Sequence, residues 1–523
     1  MRLQRYRNCN SYSMNLLSSP KIKKMQKRLL LGALIMFSTF SFGQWEQVGN
    51  DIQGENDFDF TGTSVTINDQ GNRIAVFDAL DDLSPLGKVR FFNLQGNSWV
   101  QFGNEISGLP ADNISSGTIK FNASGDRLIF SSRLHNISGQ VNVGGVRVFE
   151  LQGADWVQLG STILGNDEGD LFGNSIDINN SGDRILIGAT QGNSATSMKG
   201  YAEAYELQSD EWVLLGNRLE GFANGDRFGT AVAMNGIRDN IAISAPQNDE
   251  GAIDAGKVRI YSLQGNNWIQ QGNDLFGQES GDRMGGTVEQ GANPLSFNNE
   301  GNILAIGSRL HNVFGFQEGQ VRVFQFDGSN WTQRGSDIDG NENNRNFGVT
   351  LALNSDGNRL IVGDNNGFDN GSVSSFQFEN GNWTPIDEVL VGTQANEFFG
   401  LSLDLNAEGD ILITGALGSN LYGQSRGYAR TYGNDVVLAQ SSFISEFNPI
   451  LYPNPNNGVF NIDFTDAQEL VTVNIIDLLG KQVVKIEYFN TKKVEVNENL
   501  KAGVYLVEIS AANTSETIRI VVE

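Results

Sequence analysis

The stretch FGNSIDINNSGDRILIGAT, from Phe172 to Thr190, carries a complete hairpin signal. Its first part is a short strand that ends at Asn179. Asn179 and Gly182 then supply turn chemistry, because Asn bonds its own backbone and Gly accepts a positive φ. From Ile185 the stretch is apolar, as expected of a buried strand. The stretch therefore predicts two antiparallel strands joined by a tight turn.

The same hairpin recurs along the chain. The strand-ending Asn occurs at seven places: Asn68, Asn122, Asn179, Asn235, Asn298, Asn354 and Asn406. Gly stands three residues later in every copy except the fourth, which has Arg238, and Asn or Asp always follows. After a variable loop comes a third strand of alternating pattern, such as VRVF from Val146. Each copy thus predicts at least three short strands in sequence.

Seven tryptophans set the period of these copies. They are Trp45, Trp99, Trp156, Trp212, Trp268, Trp331 and Trp383, spaced 52 to 63 residues apart, and Gly stands four residues after each of the first six. A fourth strand begins at each Trp, and four antiparallel strands at a period near 50 residues indicate a propeller blade. The last repeat lacks its Trp strand, which the lone strand Trp45–Ile52 can supply, closing the ring without exposed edges. We therefore predict an all-β, seven-bladed β-propeller over residues 44–434, with six or eight blades as alternatives.

Two repeats resemble a known family of propeller sequences. Phe172 to Thr190 and Phe228 to Pro246 resemble FG-GAP-type repeats, with a Phe-Gly opening and a small-residue close, and Phe347-Gly348 and Phe399-Gly400 keep the opening. The resemblance implies a calcium loop, but the Asn-x-x-Gly turn lacks the dense carboxylates that calcium needs. No cofactor is predicted, and calcium is kept as an alternative.

The N-terminus has the pattern of an export signal. Lys27 and Arg28 precede an apolar run from Leu29 to Phe37, and small residues lead to Gly43 before Gln44. This pattern predicts a signal peptide over residues 1–43, cleaved between Gly43 and Gln44, with Met25 as the expected true start. A retained membrane anchor is the alternative. The only cysteine, Cys9, lies in this segment, so disulfides and a cysteine nucleophile are not expected in the exported chain.

The C-terminal part breaks the repeat period. Residues 435–450 read as a linker, and the alternating segments of residues 451–523 predict a small β-sandwich. Its ordered motifs closely resemble the type A sorting domain of the type IX secretion system of Bacteroidetes. The matching residues are Tyr452, Pro453, Asn454, Pro455 and Gly458, then Asp477, Gly480 and Lys481, then Gly503, Val504, Tyr505 and Leu506. The resemblance implies the type IX machinery as a partner, and a cell-surface or extracellular location. An ordinary adhesive sandwich is the alternative.

The chemistry-bearing residues do not form a catalytic pattern. Without residues 1–43 the chain has 61 acids against 28 bases, a charge balance that repels nucleic acid. The two histidines, His135 and His311, lie in equivalent loops of separate repeats, which indicates loop structure rather than a shared metal site. No nucleotide-binding loop or nucleophile elbow is present. We therefore assign no catalytic or cofactor-binding residue, and leave the metal state open.

Two sets of recurring charged residues favour structural roles. Asp170, Asp226 and Asp282 recur at one position, as expected of a shared turn. Arg90, Arg147, Arg259, Arg322 and Arg430 recur on the third strand. We expect these arginines to pair with acids between blades, and a basic ligand-binding ring is the alternative.

The leading functional hypothesis is an exported binding or adhesion module for a glycan or protein ligand that is not an integral membrane protein. A secreted glycan- or peptide-active enzyme with an axial site is the alternative, and a surface-layer component is a third possibility. Loops on a rigid scaffold usually carry function. We therefore expect a site near residues 245–256, residues 308–319, or the insertion from Val288 to Pro294 in the fifth repeat.

Overall fold

The computed structural model describes residues 45–522, apart from residues 80–86, 109–116, 138, 193–197, 238, 287–290, 314, 316, 342–345, 366–369, 435–449, 453–457, 478–480, 499 and 512–513. The described residues form seven antiparallel sheets built on four strands each, followed by one further sheet near the C-terminus. The all-β prediction and the seven-bladed propeller are confirmed.

The strands follow the chain blade by blade. The first, β1 (Glu46–Gln53), belongs to the last blade. Blade 1 holds β2 (Thr61–Ile67), β3 (Arg73–Asp78), β4 (Lys88–Gln95), β5 (Ser98–Gln101) and the short β6 (Ile106–Ser107). Blade 2 holds β7 (Gly117–Phe121), β8 (Arg127–Ser132), β9 (Gly145–Gln152), β10 (Asp155–Gln158) and β11 (Ile163–Leu164). Blade 3 holds β12 (Phe172–Ile178), β13 (Arg184–Ala189), β14 (Tyr201–Gln208), β15 (Glu211–Leu214) and β16 (Leu219–Glu220).

The remaining blades repeat this order. Blade 4 holds β17 (Val232–Met234), β18 (Asn240–Ala245), β19 (Lys257–Gln264), β20 (Asn267–Gln270) and β21 (Leu275–Phe276). Blade 5 holds β22 (Leu295–Phe297), β23 (Ile303–Ser308), β24 (Gln320–Phe326), β25 (Trp331–Gln333) and β26 (Ile338–Asp339). Blade 6 holds β27 (Thr350–Leu353), β28 (Arg359–Asp364), β29 (Ser372–Glu379) and β30 (Asn382–Val391), and blade 7 holds β31 (Leu403–Leu405), β32 (Ile411–Ala416) and β33 (Tyr428–Gly433) with β1.

The Asn of each repeat organises the turn between the first and second strands. In blade 1, Asn68 Oδ1 accepts the backbone N–H groups of Asn72 and Arg73 at 3.0 and 2.9 Å, and Asn68 Nδ2 donates to Asn72 Oδ1. The Asn residues of the other blades accept the corresponding N–H groups. One amide side chain therefore satisfies the backbone N–H groups of the turn and fixes the turn that leads into the second strand. We call the side of the propeller that carries these turns the turn face, and the opposite side the loop face.

A Trp and a Gly of the repeat join neighbouring blades, as between blades 3 and 4. Trp268 Nε1 donates to the carbonyl of Leu215 in the preceding blade at 2.9 Å, and its backbone N–H donates to Asn217 Oδ1 at 3.0 Å. Between these partners lies Gly216, with φ +79°, where a Cβ atom would stand 2.9 Å from Trp268 Cδ1. Gly is needed here because the next indole packs against its Cα. The recurring spacing between each Trp and the following Gly therefore places that Gly where the Trp of the next blade packs.

The ring closes through the first strand. β1 pairs antiparallel with β33, from Glu46 opposite Gly433 to Gln53 opposite Tyr428. Trp45 Nε1 donates to Ser375 Oγ in blade 6, so β1 contacts the preceding blade through its Trp, although the acceptor is a hydroxyl rather than the backbone carbonyl that Trp268 uses. The blade that completes the ring therefore combines the two ends of the propeller sequence, as predicted.

The C-terminal sheet contains β34 (Ile450–Tyr452), β35 (Val459–Asp477), β36 (Gln482–Asn497), β37 (Gly503–Ala511) and β38 (Thr514–Val522). The long strand β35 pairs with β36 on one edge, and with β34 and then β37 on the other. Phe460 and Ile462 from its first half share one apolar core with Val473 and Ile475 from its second half. The sheet therefore curves around its core, which is compatible with the predicted sandwich.

Candidate functional site

The recurring acids of the loop face hold turns. Asp170 Oδ2 accepts the backbone N–H groups of Asn166 and Asp167 at 3.1 Å each, together with the hydroxyl of Tyr201 at 2.8 Å. Asp59, Asp226, Asp282 and Glu397 cap the same loop in their own repeats. A carboxylate surrounded by backbone donors is held as a structural acceptor, which agrees with the shared turn role expected of this position.

The two histidines lie in separate blades, and both are buried. His311 Nδ1 lies 3.0 Å from Asp282 Oδ1, and it donates this hydrogen bond because the carboxylate can only accept. The bond raises the pKa of His311. Burial opposes ionisation of Asp282, but the hydrogen bonds from His311 and from two backbone N–H groups hold its pKa below the usual value. His311 thus joins two loops of the loop face.

The third-strand arginines depart from our expectation about their partners. Arg90 pairs with Asp78, Arg259 with Asp274 and Arg430 with Asp51, each within one blade rather than between blades. Their contacts across blades go to backbone carbonyls instead, as when Arg322 Nη2 donates to Phe276 O at 2.6 Å. The reason is geometric, because a neighbouring strand of the same blade brings the acid beside the third strand. In blade 1 this acid ends the second strand, β3, and in blades 4 and 7 it lies on or just after the fourth strand.

An asymmetric set of side chains lines the axis, and the repeat analysis missed it. The position two residues before each turn Asn holds five different residue types in the seven blades: Thr66, Lys120, Asp177, Ala233, Ser296, Ala352 and Asp404. Four of these side chains accept a backbone N–H from the inner strand of the next blade: Thr66 from Phe121, Asp177 from Met234, Ser296 from Leu353, and Asp404 from Ile67. They satisfy donors that no neighbouring strand can reach.

Charge concentrates at Lys120. Its Nζ lies 2.6 Å from Asp404 Oδ1, whose other oxygen accepts the Thr66 hydroxyl at 2.8 Å. Burial alone would lower the pKa of Lys120, but Asp404 and Asp177 raise it. Burial raises the pKa of Asp177 to about 6, although Lys120 and the N–H of Met234 act in the opposite direction. This cluster was detectable only as variation at one position within an otherwise regular repeat.

The axial cavity is narrow at both ends. On the turn face, the residue after the turn Asn donates its backbone N–H to its counterpart in the next blade in six of the seven blades, as from Asp69 N to Ala123 O and from Ala407 N to Asp69 O. In addition, Asn180 Nδ2 donates to Asn299 Oδ1 at 2.9 Å. Towards the loop face, Gly291 approaches blade 1 so closely that a Cβ atom would stand 2.0 Å from Thr63 O. The cavity between measures about 180 Å³, smaller than common ligand sites and large enough for water.

The expected loop-face regions are partly accessible. Residues 247–250 and Asp254, from the loop 245–256, line an open groove of about 660 Å³ with residues 222–227. Residues 308–319 include His311, and the insertion from Val288 to Pro294 contributes Gly291 and Asn293 to the axial cavity. Separately, the loops over blade 7 expose Phe58, Phe398, Leu421 and Tyr422. Of these four residues, only Phe58 departs from the repeat pattern, since Gly stands at its position in blades 3, 4 and 5.

The C-terminal motifs are described in part. Tyr452 lies on β34, Gly458 has φ +90°, and Gly503 and Tyr505 lie on β37. Asp477 Oδ1 accepts the N–H of Lys481 at 2.9 Å beside the end of β35. The predicted residues Gly43, Gln44, Pro453, Asn454, Pro455 and Gly480 lie outside the described residues.

The described residues offer neither a clustered metal site nor a membrane-spanning helix. Within these ranges, no group of three or more His, Cys, Asp or Glu side chains is placed to hold a metal ion. Over the same part of the chain, no helix has the length and apolarity to cross a membrane.

The described residues thus form a β-propeller that is followed in the chain by a separate C-terminal sheet. Residues 450–523 match the family described as the secretion system C-terminal sorting domain. The chain thus carries a type IX sorting domain, which implies export across the inner membrane to the cell surface or the extracellular space. The secretion machinery is accordingly its implied partner.

Solved structures with low sequence identity are similar to this chain. A periplasmic gluconolactonase from Pseudomonas aeruginosa is similar at 11% identity and a TM-score of 0.43, covering 64% of this chain and 86% of that one. The β-propeller domain of the trilobed protease from Pyrococcus furiosus is similar at 12% identity and a TM-score of 0.39, covering 72% and 91%. No curated protein matches the sequence significantly.

Proposed function

We propose that this chain is a non-catalytic binding or adhesion protein that recognises a glycan or protein ligand through its loop face. The observation that carries the proposal is the contrast between axis and loop face. The axial carboxylates of Asp177 and Asp404 accept backbone N–H groups inside a cavity of about 180 Å³. The loop face offers an open groove of about 660 Å³ and exposed aromatic side chains. Open surfaces of this kind suit recognition of large ligands.

The delivery of the chain supports the same proposal. A sorting domain places the propeller where extracellular polymers and neighbouring cells are the available ligands. We propose in addition that residues 1–43 are a cleaved signal peptide, that residues 44–434 form the propeller unit, and that residues 435–450 link it to the sorting domain. Protein sequencing of the exported chain tests the first point, with Gln44 as the expected first residue.

The proposal is tested with the purified full chain on immobilised polysaccharides and surface proteins, with calcium and with a chelator. Retention without release of soluble products over time is the expected result. Time-dependent product release from any retained polymer would contradict a non-catalytic role.

An axial enzyme is the second candidate, and the pKa of Asp177 favours it. A carboxyl with a pKa of about 6 beside Lys120 suits proton transfer near neutral pH. If product release occurs, Asp177→Asn and Lys120→Met should abolish it. Release that both variants retain would exclude the axial site.

A further inference from the structure

Four exposed apolar side chains lie along the loop between β32 and β33 of blade 7, residues 417–427. Phe58, Phe398, Leu421 and Tyr422 are 40%, 37%, 42% and 36% exposed. A Cβ atom on Gly418 would stand 2.9 Å from Phe398 Cδ2, which places Phe398 beside the start of this loop. The N–H of Phe58 donates to Gln424 O at 2.8 Å, which places Phe58 beside its end. We call these four residues the aromatic strip.

Phe58 occupies a backbone position that suits glycine. Its φ is +68°, and the equivalent residues of blades 3, 4 and 5 are Gly169, Gly225 and Gly281, with φ of +80°, +98° and +89°. A bulky residue is strained in this region of φ and ψ. Because much of the ring is exposed, folding gives little reason to keep Phe there. Strain held at an exposed aromatic residue points towards function.

Tyr422 is held rigidly although its ring is accessible. Its hydroxyl donates to Asp51 Oδ2 at 2.5 Å, and Asp51 is bound by both Nε and Nη2 of Arg430 at 2.6 Å. Its ring also meets Tyr428 edge to face at 6.2 Å. Burial and the bond to Asp51 raise the pKa of Tyr422 to about 12, so the hydroxyl stays protonated. A fixed, exposed aromatic ring loses little conformational entropy when a ligand stacks on it.

The surroundings of the strip are polar. Asn396, Asn420 and Gln424 are exposed beside it, and Arg426 Nη2 pairs with Asp57 Oδ1 at 3.0 Å. Sugar rings present apolar C–H faces that stack on aromatic rings, and hydroxyl groups that carboxamides can bind in pairs. The excess of acids in the chain repels acidic polymers. Rings flanked by amides therefore fit a neutral sugar better than an acidic one.

We propose that the aromatic strip is a binding site for neutral oligosaccharides, with Phe58 and Tyr422 as stacking platforms. This inference rests on the proposed binding function and names its ligand class. Phe398 and Leu421 extend the apolar surface, and the neighbouring amides orient the sugar hydroxyls.

The test uses calorimetric titration of the full chain with cellohexaose, mannohexaose and chitohexaose. At least one probe should bind. Phe58→Gly and Tyr422→Ala should each weaken that binding about tenfold or more, the loss of one stacking contact of about 1.4 kcal/mol. Phe58→Gly should leave the melting temperature nearly unchanged, since it restores the residue found in other blades. Tyr422→Phe should keep part of the affinity, because the ring remains while its anchor is lost.

Ile253→Ala is the matched control. Ile253 is 73% exposed in a loop over blade 4, away from the strip, and its removal should leave binding unchanged. Equal affinity of the wild-type chain and the two strip variants would overturn the assignment of the site. Failure of all three neutral probes would also overturn it. Retention on an acidic polysaccharide or a protein would then still leave the proposed binding function standing.

Discussion

Asp177 links the axial cavity to the pH dependence of stability. Its pKa rises from 3.8 to about 6 on folding, so the folded state binds more protons than the unfolded state between these values. Stability therefore falls as the pH rises through this window, by at most about 3 kcal/mol for this group. An asparagine at this position cannot titrate, so the variant should not lose stability in this window. We therefore expect the free energy of unfolding of Asp177→Asn, relative to that of wild type, to increase by about 1 to 3 kcal/mol as the pH rises from 4 to 7. Urea unfolding at several pH values measures the difference.

The control for Asp177 is Ser296→Ala. Ser296 also accepts an axial N–H, from Leu353, but it does not titrate. Its cost should be independent of pH in the same window. A pH-independent difference between wild type and Asp177→Asn would show that the carboxyl does not titrate there.

His311 and Asp282 give a second prediction at the residue scale. The raised pKa of His311 makes its contribution complete below about 6.5 and lost as the pH rises through the folded value. The lowered pKa of Asp282 makes its contribution complete above about 3.8 and lost as the pH falls through the folded value. His311→Asn should therefore lower the free energy of unfolding by about 1 to 2 kcal/mol near pH 5 and by less at high pH.

NMR titration tests the bond between the two side chains directly. The pKa of His311 should be lower in Asp282→Asn than in wild type, and His135→Asn is used to assign the resonances. An unchanged titration would argue against the bond.

At the scale of elements, the glycine behind each Trp controls how blades join. Gly216→Ala would place a Cβ atom 2.9 Å from Trp268 Cδ1 at a φ of +79°. We expect a loss of about 3 kcal/mol, from backbone strain together with displaced packing. Gly265→Ala is the matched control, because Gly265 has φ +63° with no atom within 4 Å of the added Cβ, and it should lose only about 1 kcal/mol. Equal losses in thermal unfolding would mean that the indole contact adds nothing.

The elements also show which features a single sequence can predict. Asn179, Gly182 and Trp268 recur because every blade needs the same turn and the same inter-blade contact, so spacing alone identified them. The recurring motifs did not indicate Lys120 and Asp177, because these residues stand at a position whose side chain differs from blade to blade. Only that variation distinguishes the position from the rest of the repeat. Phe58 was a readable signal, since it stands where other blades have Gly, but its exposure depends on the loops packed around it. The anchor from Tyr422 to Asp51 joins residues 371 apart in sequence, which no local pattern can reveal.

At the scale of the whole molecule, the ring depends on a strand from the other end of the propeller sequence. β1 supplies the edge of blade 7, and Asp51 gives Arg430 two hydrogen bonds of 2.6 Å. Trp99 Nε1 and Thr431 Oγ1 both donate to Val48 O, so the same strand also holds blade 1. Removal of residues 44–53 would expose the edge of β33 and leave the partly buried Arg430 without its acid. We expect such a chain to unfold at a clearly lower temperature and to associate through the open edge.

A peptide that contains β1 should restore the stability of the shortened chain. This result would distinguish loss of ring closure from a general loss of folding. A synthetic peptide of residues 44–55 contains the whole of β1 and should bind the shortened chain, raising its melting temperature as the peptide concentration increases. The same peptide with Asp51→Asn and Trp45→Ala should bind more weakly, because it loses the ion pair to Arg430 and the bond to Ser375. Glu46→Ala is the control peptide, since Glu46 is exposed and should not be needed. If the shortened chain melts at the wild-type temperature, or no peptide raises it, the seventh blade does not need β1 and the ring is stable while open.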